Sequence, residues 1–127
     1  MKGKKMVGKI NSLTEEEQAK FLDNTYGISG IRFTEDVQHH CPLGEQVGVT
    51  TYTVEVIPGE HLAELIALHW DIQEMMGQTF TLESGAAMVL EKVKKAYVDP
   101  EYISVKAKCP PNRHMSVEVV VEYEKED

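Results

Sequence analysis

Two cysteines and a few acids and histidines are the residues of this chain best suited to chemistry. Cys41 stands in His39-His40-Cys41-Pro42, followed by Leu43-Gly44-Glu45-Gln46, and Cys109 opens Cys109-Pro110-Pro111-Asn112-Arg113-His114. Each cysteine reads as an ordinary buried thiol, a metal ligand or a nucleophile, and spacing alone does not choose among them. As a nucleophile, Cys41 has Glu45 close by in sequence as a candidate proton donor. As metal ligands, Cys41, Cys109 and His40 make a reasonable zinc set with a fourth position open for water. The third reactive group is Glu83, in the first turn of a helical stretch and at the margin of its apolar stripe. A helix N-terminus favours a carboxylate there for its own sake. The same carboxylate, acceptor-only when ionised, can also take two N–H groups from the edge of a ring. His39 and His40 read as loop residues and His61 as exposed. His69 lies on an apolar helical face and reads as a satisfied core histidine. His114 opens a strand beside Arg113 and is a candidate ligand contact.

The elements that must position these groups follow from periodicity. Thr79 to Tyr97 places Leu82, Ala86, Val89, Leu90, Val93 and Tyr97 on one helical face, with Thr79 or Thr81 able to cap its start and Asp99-Pro100 ending it. Glu60 to Met75 is a second helix, with Leu62, Leu65, Ile66, His69 and Ile72 sharing a face, and Gly77 separates the two. Alternation predicts strands over Gly30 to Gln38, Val47 to Ile57, Tyr102 to Lys108 and His114 to Tyr123. The stretch His39 to Gln46 is a loop, and the last two strands form a hairpin. Trp70, Met75 and Met76 are expected in a core or an interface. Ser12-Leu13-Thr14-Glu15 is a capping box for a short helix through Asp23. Residues 1–30 therefore read as an extension with one short helix and 31–127 as the domain. The order ββααββ implies an α+β fold, an antiparallel sheet with two helices on one face. Its exposed edges invite pairing between copies of the chain.

Composition narrows the function classes. In 127 residues the formal net charge is −8, which supplies no cationic footprint for general binding to nucleic acid or a membrane surface, so RNA is not indicated. Lys2, Lys4, Lys5 and Lys9 are the one basic cluster and read as a solvated tail. No apolar run is long enough for a membrane span or a signal-peptide core, which gives a cytoplasmic expectation. Two cysteines are too few for a disulfide framework.

Cys41-Pro42 and Gln46, then Pro58 and Glu64, then Glu83, then Asp99-Pro100-Glu101-Tyr102-Ile103 occur in order over Ile31 to Tyr123. The set resembles the tunnelling-fold superfamily, nearest to 7-cyano-7-deazaguanine reductase (QueF) and its QueF-like amidinotransferase relatives. The resemblance implies an oligomeric barrel with sites between subunits and a small purine- or pterin-like substrate. It also implies a Cys41 nucleophile that forms a thioimide with a nitrile, and a Glu83 that grips the ring, with Glu64 as a further substrate-binding candidate; His114, from its place beside Arg113, is a candidate contact for the ligand or a neighbouring subunit. Three departures are plain, one being that Leu82 stands where the family has a histidine before its anchoring glutamate. The family's aspartate falls at Gly48. Its lysine signature, of the Glu-Ser-Lys-Ser-x-Lys type, reads Glu64-Leu65-Ile66-Ala67-Leu68-His69, so the resemblance argues against NADPH reduction and fits the amidinotransferase relatives better. GTP cyclohydrolase I is a more distant resemblance, through Cys109 with Arg113 four residues on, and carries the zinc alternative. A non-catalytic purine- or pterin-binding protein is the third reading.

Overall fold

The computed structural model describes residues 23–42, 47–112 and 115–126. The N-terminal helix expected from Glu15, and the candidates Glu45 and His114, lie outside these residues. The described elements are β1 (Ile31–His40), β2 (Val47–Ile57), α1 (Leu65–Gln73), α2 (Leu82–Tyr97), β3 (Tyr102–Asn112) and β4 (Met115–Glu124). The four strands form one antiparallel sheet in the order β1-β2-β3-β4. This is the expected α+β arrangement.

Strand alternation sends odd residues of β1 and β3 and even residues of β2 to the helix-covered face. Tyr52, Val54 and Val56 of β2 and Ile103, Val105 and Ala107 of β3 are buried there. They meet Ala86, Val89, Leu90, Val93 and Tyr97 of α2, together with Leu68, Ile72 and Met75 from α1 and the turn after it. Each such aliphatic side chain, fully buried, contributes about 1.5–3 kcal/mol relative to exposure. The opposite face is polar and mixed. Arg32 pairs with Glu55 at 2.9 Å, Thr51 donates to Asp36 at 2.6 Å, and Tyr102 donates to Glu122. Val47, Val49 and Val120 are exposed on that face.

Local chemistry sets where α2 begins and ends. The Thr81 hydroxyl accepts from the Ser84 amide at 3.0 Å and the Ser84 hydroxyl accepts from the Thr81 amide at 3.0 Å, a reciprocal capping box. Thr81, not Thr79, is the cap. Glu83 lies in the first turn and Lys94 and Lys95 in the last, each favourable to the helix dipole. The helix stops at Val98, which adopts φ 70° and ψ −65°. With Asp99 N–H donating to the Tyr97 carbonyl at 2.8 Å, this is a γ-turn of the rare, strained hand.

Three expectations need correction. Helix α1 starts at Leu65, not Glu60, because the Glu64 carboxylate caps the Ile66 and Ala67 amides. The residues before it are extended, with His61 bridging to Asp23 and the Asn24 amide donating to Glu60 O at 2.9 Å. The buried residues of α1 are Leu68 and Ile72, while Leu65, Ile66 and Trp70 are exposed, as is Met76 beyond the helix. Both hairpin strands of the first pair are well matched, but β1 runs on through His39 and His40, which pair with Gly48 and Val47. Strand β3 likewise extends to Asn112, with its register irregular beyond Cys109. Among the described residues, no helix is long and apolar enough to cross a membrane.

Candidate functional site

The site is built where β1 ends and α2 begins. Residues 77–80 run back along the outer edge of β1. Gly77 N–H donates to Gln38 O at 2.8 Å, His40 N–H to Gln78 O at 2.9 Å, and Phe80 N–H to His40 O at 3.1 Å, with a parallel bridge between His40 and Thr79. Cys41 is the next residue of one strand and the Thr81 cap the next of the other. The exposed thiol of Cys41 and the exposed carboxylate of Glu83 thus emerge at one end of the fold, tied together by backbone hydrogen bonds. An accessible thiol can attack an electrophilic carbon on a ring, and an ionised carboxylate at the same end of the fold can accept from the ring's N–H groups.

Beneath this end lies a buried polar corner. His39 is only 4% exposed and Thr50 fully buried. His39 Nε2 is 2.6 Å from Thr50 Oγ1, and the His39 ring stacks on Phe80 with centroids 4.1 Å apart and planes 13° from parallel. Gly48 lies directly across from His39, and a Cβ there would meet Cys109 Sγ at 3.7 Å. The Tyr52 hydroxyl has no hydrogen-bond partner among the described residues and rests against Gly85 of α2. Burial, with Cys109 as a lesser contributor, raises its pKa well above the ordinary tyrosine range.

The remaining candidates sit apart from that corner. Glu64 is occupied as the cap of α1. His69 is half-buried and its Nδ1 bonds the Glu35 carboxylate, which also accepts from Gln73 at 3.2 Å. The pair ties α1 to β1; His69 is hydrogen-bonded as expected, but with its side chain 41% exposed it is a surface residue and not a core one. His40 alternates to the polar sheet face while Cys109 lies on the helix side, and among the described residues no three His, Cys, Asp or Glu side chains converge as a metal set. A shallow groove of about 440 Å³ lined by Arg32, Glu55 and Tyr102 opens at the far end of β1, roughly 30 Å of strand away from Cys41.

Periodicity missed His39, Thr50 and Phe80 as parts of this end. The available signal was that His39 continues the odd-numbered inward face of β1 through Val37.

This two-helix, four-strand architecture is the tunnelling fold. The structure superimposes on a crystal structure of the archaeosine synthase QueF-Like in the apo form with a TM-score of 0.68 and 29% sequence identity, over 75% of this chain and 93% of that one. The chain has the tunnelling fold and is similar to this QueF-like protein. No protein-family model matches it, and no curated protein matches it.

Proposed function

We propose that this protein is a QueF-like enzyme of 7-deazaguanine chemistry. It binds a purine-like ring through Glu83 and attacks the nitrile carbon of a 7-cyano-7-deazaguanine-type substrate with the Cys41 sulfur. The observation that carries the reading is the pairing of residues 77–80 with the end of β1, which sets the Cys41 and Glu83 positions at one end of the fold. Kinship with a protein described as an archaeosine synthase supports the substrate class.

The step is an addition. The sulfur forms a bond to the nitrile carbon, one π bond of the C≡N group breaks, and its electron pair goes to nitrogen. The nitrogen takes a proton, leaving a covalent thioimide. Glu45 is the proposed donor, from its place four residues after Cys41. The thioimide then passes to an amine nucleophile such as ammonia, whose attack on the same carbon expels the Cys41 thiol and leaves an amidine. Hydride from NADPH is a poorer fit, because Ile66 and His69 occupy the positions of the reductases' lysines and present no ammonium to a cofactor phosphate. Glu64 caps its own helix, and this favours Glu83 as the ring-binding acid. We further propose that copies of the chain assemble through the edge of β4, unpaired among the described residues, and the exposed Val47, Val49 and Val120 face, so that a neighbour completes the pocket.

The test is calorimetric titration with 7-cyano-7-deazaguanine. Glu83→Gln replaces an acceptor pair with one acceptor and one clashing donor, and is expected to weaken binding about 10- to 100-fold. Cys41→Ala is expected to retain the reversible binding. Wild-type affinity in Glu83→Gln would remove the basis of the proposal.

A further inference from the structure

Hydrogen-bonding capacity fixes the state of the buried His39 ring. Its Nδ1 faces the carbonyl of His40 at 3.4 Å, and its Nε2 faces Thr50 Oγ1 at 2.6 Å. A carbonyl only accepts, so the contact suits a protonated Nδ1, and in that neutral tautomer Nε2 accepts from the Thr50 hydroxyl. The His40 carbonyl also accepts from Phe80 N–H at 3.1 Å. That carbonyl belongs to the peptide group whose nitrogen is Cys41's. The oxygen of the His40–Cys41 peptide is therefore held from two sides, by the ring of His39 and by the backbone of Phe80, while the ring of Phe80 lies flat on His39. One residue beyond Phe80 is the Thr81 cap, and two beyond that is Glu83.

We propose that His39 is the positioning residue of the Cys41 centre, fixing the His40–Cys41 peptide and so the setting of the Cys41 thiol against Glu83. It does not touch the substrate. Its catalytic meaning rests on the reading of Cys41 and Glu83 given above, but the clamp itself is a property of the fold and can be tested without that reading.

Two measurements separate the two claims. In the full chain carrying Cys109→Ser and Glu83→Cys, spin labels at positions 41 and 83 report a distance distribution. The clamp predicts a narrow distribution that broadens in His39→Phe, which keeps the stacked plane and loses both ring nitrogens, and in Phe80→Leu, which loses the stack. In the otherwise unmodified protein, His39→Phe is expected to slow thioimide formation with saturating 7-cyano-7-deazaguanine by about tenfold or more. Its Kd for the ring stays within about threefold, since Glu83 is untouched. Thr50→Val removes a single hydroxyl and is expected to shift both readouts the same way to a smaller extent; it replaces His39→Phe if that variant does not fold. An unchanged distance distribution overturns the proposal. So does a loss of affinity that matches the loss of rate, which would mark His39 as a packing residue only. If the wild-type protein forms no thioimide, the enzymatic reading fails, and the labelled pair still decides the clamp.

Discussion

Gly85 gives the sharpest test of how α2 is seated. Replacing glycine by alanine inside a helix ordinarily stabilises by about 0.5–1 kcal/mol, through the entropy of the unfolded chain. Here the added Cβ would collide with the Tyr52 hydroxyl and would lie 2.7 and 2.9 Å from Cε1 and Cδ1 of Phe80. Both rings are buried, and neither is the free end of a flexible side chain. Overpacking a filled core costs about 1–3 kcal/mol. Set against the helix gain, Gly85→Ala should destabilise by about 1–2 kcal/mol, with the sign opposite to that of a solvent-facing helix position. For a domain of this size that is a fall in Tm of about 4–8 °C. The assay is thermal and urea unfolding of wild type, Gly85→Ala, Tyr52→Phe and the double variant. Tyr52→Phe removes a buried hydroxyl with no partner among the described residues and should be neutral or stabilising by about 1 kcal/mol. In the Gly85→Ala background it should recover much of the loss, since it takes away the atom struck most closely. A Gly85→Ala protein more stable than wild type would refute the close approach of Tyr52 and Phe80 to α2.

Gly48→Asp places a carboxyl where the resembling family keeps its aspartate. The Cβ finds ordinary contact with Cys109 Sγ at 3.7 Å, so the variant should fold and should raise the rate of thioimide formation by about tenfold or more; intact-mass kinetics would show it, and no acceleration would count against a missing acid. Val98→Gly relieves a β-branched residue held at φ 70°, trading about 1–3 kcal/mol of backbone strain against about 0.5–1 kcal/mol of glycine entropy, and should raise Tm by a few degrees. Burial pushes the Tyr97 phenol from 10.0 up to about 12, and Tyr52 is raised as well. The unfolded phenols ionise near pH 10 while the folded ones stay protonated, so this stability is complete below pH 10 and is lost as pH rises from there toward 12. Urea midpoints at about pH 9 and about pH 11 should show the drop, and Tyr97→Phe should lessen it.

Much of this fold is legible in the sequence because the helix and strand periods are clean. The stripe Leu82, Ala86, Val89, Leu90, Val93 and Tyr97 of α2 is the one that packs on the sheet, and β2 has the expected bounds. The site end was harder to read. His39-His40-Cys41-Pro42 is polar and turn-like by type, yet β1 continues through His39 and His40 because β2 pairs on one side and residues 77–80 on the other. That second partner lies about forty residues away, and no local pattern announces it. Trp70 is expected in a core or an interface; at 60% exposed it is not in the core of the chain, and that exposure is compatible with an interface. Glu35 drew no attention as an acid in an alternating strand. Its role emerges only when α1 brings His69 and Gln73 onto it.

The most direct measurement is intact-protein mass spectrometry after incubation with 7-cyano-7-deazaguanine, beside a Cys41→Ala control. The account predicts a mass increase equal to the ligand in the wild-type protein and none in the variant. An unmodified wild-type mass under conditions where the ring is shown to bind would contradict it, and would leave a binding protein in its place.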